Sequence, residues 1–376
     1  MMRYLILSLF ALQILISVSC EDLFTGDENS DSDQTERNDS LTDFPLIEEA
    51  FVADTMRKFR EEFHDFITYS YLFDAVFVNK VEAIDDSWGE VYERQLQPGN
   101  QKAEYFWNQS WQLIFMLNRL VESIDYYEME EQYPTKAEAL ISRAWLYHNL
   151  SVWFGDLPIY EGVEEEDMPP LQTAELNDFI MSDLFQGVEI LERNSSGDSL
   201  NHLYFAGLNL VCRSYSDSED WTGAIYYAER IINSGVYSLQ TDTSAIYNKS
   251  TEMIWGFEKQ KDTDNIGVFS DWTYMPITRL TETYLYLIEA NYLLGYHEKA
   301  IEYLNHLIVR RKGNQISNIY FEAVFVQWKR EFSLEGNNFY YLKRFDMAEK
   351  ELMLSNLFLP IPLSSLEKNS ELSQNQ

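Results

Sequence analysis

The chain has 376 residues, with 62 acidic against 28 basic side chains and a formal charge of −34. A surface so acidic repels phosphate backbones and anionic headgroups and favours neutral or cationic ligands, which excludes nucleic-acid binding. Hydrophobic residues at 45% and aromatics at 15% supply a large core, so the acid belongs to a solvated exterior and one large or two medium domains are expected.

Arg3 precedes a mostly apolar run from Tyr4 to Val18. A membrane-crossing helix needs about 20 apolar residues, and this run is shorter, so residues 1–19 read as a secretory signal peptide. Cys20 follows directly after Ser19. A cysteine in that place is the acceptor of bacterial lipoprotein processing, its thiol taking diacylglycerol and its freed amine another acyl chain. Cys20 is therefore the expected lipidation site, and the mature protein is expected to be anchored to the membrane without spanning it. Ser17 stands where such signals usually carry leucine. Residues 20–43 combine this cysteine with an acidic, disordered tether in which Arg37 is the one basic residue. Its reach is about 25 to 29 Å. With Cys20 acylated, only Cys212 remains and no intrachain disulfide is available. The stretch FAGLNLVCRSY places Cys212 on an apolar helical pattern, as a small buried hydrophobe.

From Phe44 onward amphipathic helices follow one another, and residues 44–376 read as one mainly all-α domain of stacked helix pairs with loop-rich regions and minor β. At about 105–154, two helices pair, and the second ends in the corner FGDLP. There Gly155 supplies positive φ, Asp156 bonds backbone, and Pro158 stops helix continuation. At 204–239, Ala206, a polar turn, Trp221 and Ala224 mark helix, turn and helix. At about 279–312, Leu280, Tyr284, Leu287, Ile288, Asn291 and Leu294 share one face, Gly295 closes that helix, and Ala300, Ile301, Leu304 and Ile308 begin the next face. These are tetratricopeptide-type units of about 34 residues, which must stack because one unit cannot bury its own face.

Four stretches, in order along the chain, resemble the SusD/RagB family of outer-membrane nutrient-binding lipoproteins. They are RAWLYHNLSVWFGDLPIYEG at 143–162, the repeat ending in VRRKG at 309–313, REFSLEGNNFYYLKRFD at 330–346 and FLPIPLSSLEKNSELSQN at 358–375. The third carries the family's signature on Arg330, Glu331, Glu335, Gly336, Leu342 and Arg344, and the fourth on Pro360, Ile361, Pro362, Gln374 and Asn375. The resemblance implies a SusD-like fold, attachment to the outer membrane through Cys20 and an outward-facing position. It further implies an oligosaccharide or glycan ligand and a SusC-like TonB-dependent transporter as partner. A member binding peptide or glycoprotein, or an adaptor of the transporter with no ligand of its own, are the alternatives. Asn338 and Tyr341 stand where the family usually carries arginine and aspartate, and losing both is expected to leave no orphan charge. The segment before the last repeat, 260–278, is shorter than the family's, which points to a smaller ligand or a different grip.

No reaction chemistry emerges. With 62 acids, pairs such as Asp85-Asp86 are inevitable and are read as solvated. Five histidines show no zinc spacing. DTDNIGVFSDWT, from Asp262, lacks the ligands an EF-hand needs, with Ile266 and Thr273 where carboxylates belong. No catalytic residue, metal or cofactor is expected. Sugars stack their C–H faces on flat rings, so the candidate ligand-binding residues are aromatics in polar, turn-like surroundings: Trp88 and Tyr92 in EAIDDSWGEVYERQ, and Trp272 and Tyr274 in FSDWTYMP. Trp221, at a repeat turn, is expected to be structural.

Overall fold

A computed structural model describes residues 44–162, 165–194, 202–242, 245–248, 250–259 and 269–375, with side chains from Glu49 onward. The signal segment, Cys20, the tether and most of the loop from Asp262 lie outside the described residues. Leu46–Gln376 forms one compact unit. The helices in chain order are α1 (Phe44–Phe77), α2 (Gly89–Glu93), α3 (Gln101–Tyr126), α4 (Tyr133–Phe154), α5 (Thr173–Asn194), α6 (His202–Asp217) and α7 (Trp221–Asn233). After a hairpin of β1 (Met253–Glu258) and β2 (Tyr274–Arg279) come α8 (Leu280–Leu293), α9 (His297–Arg310), α10 (Phe321–Glu331), α11 (Asn338–Arg344), α12 (Ala348–Leu352) and α13 (Leu363–Lys368). The fold is mainly α-helical with one antiparallel strand pair among the described residues. None of the described helices is long and apolar enough to cross a membrane.

Helix ends follow local chemistry. Asn100 caps α3 by accepting from the amides of Lys102 and Ala103, and Asp220 caps α7 through Gly223 N. Gly155 at φ +80° and Gly295 at φ +81° occupy the left-handed conformations expected of them after α4 and α8. The helices α6 and α7, and α8 and α9, are joined by short turns and pack as pairs, with α7 against α8 in the next layer. The first layer differs from expectation in one respect: α4 packs more extensively on α5 than on α3. Gly187 of α5 permits this approach, since a methyl there would lie 2.8 Å from Ile141 of α4.

Aromatic rings fill the junction of α1, α3, α4 and α11. Trp153 meets Phe73 edge-on at 5.0 Å between centroids and stacks on Phe339 at 4.6 Å. The last carbonyls of α4 are satisfied from far along the chain. Val152 O accepts from Lys343 Nζ at 2.8 Å, Trp153 O from Leu359 N at 2.7 Å, and Phe154 O from Asn375 Nδ2 at 2.9 Å. Gln374 pairs both backbone groups of Ile361, at 2.6 and 2.9 Å. This is the physical role of Pro-Ile-Pro and Gln-Asn: the 358–375 segment finishes the end of α4. Cys212 is buried with a free thiol, which burial pushes up in pKa, as expected of a small hydrophobe.

The motifs at 309–313 and 330–336 converge in one buried network. Arg279 Nη1 donates to Glu252 Oε1 at 2.6 Å, its Nε to Glu335 Oε2 at 2.8 Å and its Nη2 to Glu331 O at 2.6 Å. Arg310 bridges Glu252 at 2.5 Å and Glu331, and Arg311 reaches Glu331 at 2.8 Å. Three carboxylates face three guanidiniums, so the network is neutral.

At Asn338 the structure overturns an expectation. Asp74, buried on α1, accepts from Asn338 N at 3.2 Å, Asn338 Nδ2 at 2.5 Å and Phe339 N at 2.8 Å, with no ion pair among the described residues. The missing arginine therefore does leave a buried anion alone. Burial raises the Asp74 carboxyl to about 6 against these hydrogen bonds. Folding takes up a proton here between the ordinary carboxyl pKa and about 6, so this group's contribution to stability falls as pH rises through that window. Going from pH 5 to pH 8, wild type is expected to lose about 1 kcal/mol more than Asp74→Asn. Urea midpoints of both proteins at the two pH values measure this, and parallel pH dependences would contradict it.

Candidate functional site

The four candidate rings fall into two separate places. Trp88 is 4% exposed and packs beside Tyr69 and Phe73, with Lys102 Nζ 4.6 Å from its ring. Asp85 accepts from Ser87 N and caps a short 3-10 turn, which rotates the indole inward. Tyr92 is half-buried against the core, its carbonyl bonded by Asn79 and Arg94. Trp272 is 8% exposed and lies flat on Tyr247, with centroids 3.7 Å apart and planes 5° from parallel. Tyr274 is half-buried at the start of β2. Both tryptophans thus support the fold around them.

Two clefts open on either side of Phe358, which is 38% exposed and lines both. The first, about 570 Å³, lies between Glu93–Leu96, directly after Tyr92, and residues 352–360. The second, about 530 Å³, is bounded by α4, α5, α8, α11 and the α6–α7 turn. Lys343 stands between them, its ammonium 3.8 Å from the Phe358 centroid and 5.3 Å from that of Phe339. It donates to Val152 O and Leu357 O at 2.8 and 3.2 Å. Burial lowers its pKa to about 7, while its place at the α4 C-terminus favours the charge.

The floor of the second cleft is a fixed polar array. Asp217 accepts from Tyr340 OH at 2.7 Å and pairs with His148 Nε2 at 2.8 Å, while Arg344 Nη2 holds Glu289 at 2.8 Å. Burial pushes Asp217 upward, but the His148 bond, the Arg344 charge and the Tyr340 bond outweigh it and hold the carboxyl below its usual range. Burial raises Glu289 despite Arg344. Arg344 Nε and Nη1 make no hydrogen bond, and its guanidinium faces Tyr286, Trp328, Tyr340 and Trp221 at 5.4 to 6.0 Å. Above this floor, Trp221 and Phe321 are half-buried, Leu293 is exposed, and Asn177, Glu219 and Asp346 supply polar groups. Flat rings beside amides and carboxylates bind polyhydroxylated ligands, and clefts of this size suit small ones. No group of three or more His, Cys, Asp or Glu side chains among the described residues could hold a metal.

Trp221 was expected to be structural and instead lines this cleft. Its position held the signal: it opens α7 directly after a polar turn, where a ring has solvent on one side. The polar partners assemble from residues 148, 217 and 340, and no local pattern joins them.

A family model described as "Starch-binding associating with outer membrane" (SusD-like) matches residues 27–203. Residues 27–203 thus carry the pattern of the SusD-like family. The SusD-like fold extends over most of the chain's length. A SusD-like protein of Bacteroides fragilis superposes with a TM-score of 0.74 at 14% identity, covering 87% of this chain and 96% of that one. A laminarin-binding SusD-like protein gives 0.67 at 15%, covering 84% and 98%. The surface glycan-binding protein A of Bacteroides uniformis gives 0.67 at 13%, covering 87% and 99%. No curated protein matches the chain. SusD-like proteins are a carbohydrate-binding family of the outer-membrane surface, and binding, not catalysis, is the family's activity.

Proposed function

We propose that this SusD-like protein captures an oligosaccharide in the two clefts flanking Phe358 and delivers it to a SusC-like TonB-dependent transporter, held at the outer membrane by acylated Cys20. The observation that carries the reading is one exposed ring shared by two adjoining clefts, a shape suited to an elongated ligand, in a chain of a carbohydrate-binding family. Anchoring would keep the binding domain at high local concentration beside its partner. In this reading Trp88, Tyr92, Trp272 and Tyr274 line neither cleft.

The test is calorimetry with laminarin- and starch-derived oligosaccharides, together with palmitate labelling of the expressed protein. Trp221→Ala and Phe358→Ala are each expected to weaken binding about tenfold or more. Trp88→Ala and Trp272→Ala should chiefly lower thermal stability, because they remove buried rings. Unchanged affinity in both cleft variants would remove this site. A cationic peptide is a second reading, favoured by Asp217, Glu219, Glu289 and Asp346 outnumbering Lys343 and Arg344 around the second cleft. Tight binding of a lysine-rich peptide with no sugar response would select it.

A further inference from the structure

A third cleft, about 570 Å³, lies between α1 and α3 and is closed by Glu165 and Lys368. Its charge balance is opposite to that of the chain. Lys58, Arg119 and Lys368 line it against Asp54 and Glu165, although acids outnumber bases 62 to 28 overall. Most of these charges are answered within the protein. Asp54 is paired with Arg57 at 2.6 Å, Lys368 with Glu165 at 3.5 Å, and Lys58 lies 3.7 Å from Glu62. Arg119 is the exception. It is half-buried, has no carboxylate partner among the described residues, and its guanidinium lies 5.7 Å from the ring centroid of Phe51, which is 38% exposed. Phe115 offers a second, half-buried ring, and Asn108 and Gln112 are exposed on the same helix. At the wall, Trp111 Nε1 and Glu165 Oε2 are buried without hydrogen-bond partners.

A half-buried arginine fork without an acid matches the geometry of a carboxylate, which it binds through two parallel N–H···O bonds. Rings beside it accept the apolar face of a pyranose, and the exposed amides of Asn108 and Gln112 line the same cleft where hydroxyl groups can bond them. We propose that this cleft is a second saccharide site, selective for a uronic-acid residue whose carboxylate pairs with Arg119. This deepens the glycan-binding reading and rests on it.

The full-length protein, titrated calorimetrically with tetragalacturonic acid and with neutral maltotetraose, tests the assignment. The uronate is expected to bind at least tenfold more tightly than maltotetraose, and Arg119→Ala is expected to weaken it at least tenfold while leaving maltotetraose unchanged. Arg119 is half-buried and unpaired, so its variant should fold, and an unchanged melting temperature verifies that. A wild type that binds tetragalacturonic acid no better than maltotetraose overturns the proposal, as does unaltered uronate binding in Arg119→Ala. Uronate binding lost in Trp221→Ala but kept in Arg119→Ala would leave the glycan reading standing and remove this cleft.

Discussion

Arg279→Ala is expected to destabilise the protein by about 3 to 5 kcal/mol, a large share of the stability of an ordinary domain. Arg279 is 1% exposed and answers Glu252, Glu335 and a backbone carbonyl at once. Its removal leaves Glu252, Glu331 and Glu335 facing only Arg310 and Arg311. One buried negative charge then has no counterpart, and water cannot reach it. Burial already raises the Glu335 carboxyl with Arg279 in place. Lysine is no substitute, since a single ammonium cannot reproduce the forked pattern. The double variant Arg279→Met with Glu335→Met removes one charge of each sign and is expected to recover part of the loss, because a matched pair replaced by apolar groups costs less than one broken. Urea unfolding of the three proteins decides the matter. A loss below about 1 kcal/mol for Arg279→Ala would show that the network contributes little.

Gly336→Ala is expected to cost about 2 to 4 kcal/mol, the sum of left-handed backbone strain and overpacking. Gly336 has φ +70°, and an added methyl would lie 2.2 Å from Cδ1 of Tyr71. Tyr71 cannot withdraw without breaking the hydrogen bond from its hydroxyl to Pro276 O, which ties α1 to β2. Gly295 supplies the control. At φ +81° it has equal backbone need but nothing within 4 Å of a methyl, so Gly295→Ala should cost only about 1 kcal/mol. Thermal unfolding of both variants separates the two contributions, and equal losses would refute the Tyr71 clash.

The architecture was legible because its signals are local. The three-four spacing around Leu287 and Leu304, the glycine after α4 and the turn before Trp221 each act within a few residues. The ring environments were not. Trp88 sits among Asp85, Asp86, Ser87 and Gly89, and polar neighbours imply exposure until the cap made by Asp85 turns the indole inward. Trp272 is flanked by Asp271 and Thr273, and the ring that covers it, Tyr247, is 25 residues earlier. Asp74 and Asn338 are separated by 264 positions, so a vacancy at one gave no notice of the carboxylate at the other. Arg119 shows the same limit: among so many acids, lacking a carboxylate partner among the described residues is a property of three-dimensional placement alone.

The bonds from Leu359 and Asn375 to the end of α4 also bear on the order in which the chain is made. A polypeptide leaves the ribosome amino end first, so the carbonyls of Trp153 and Phe154 wait more than two hundred residues for their donors. Until residue 375 has emerged, those carbonyls lack the donors that satisfy them in the folded chain. The end of α4 is thus completed only by the final stretch of the described chain, late in synthesis.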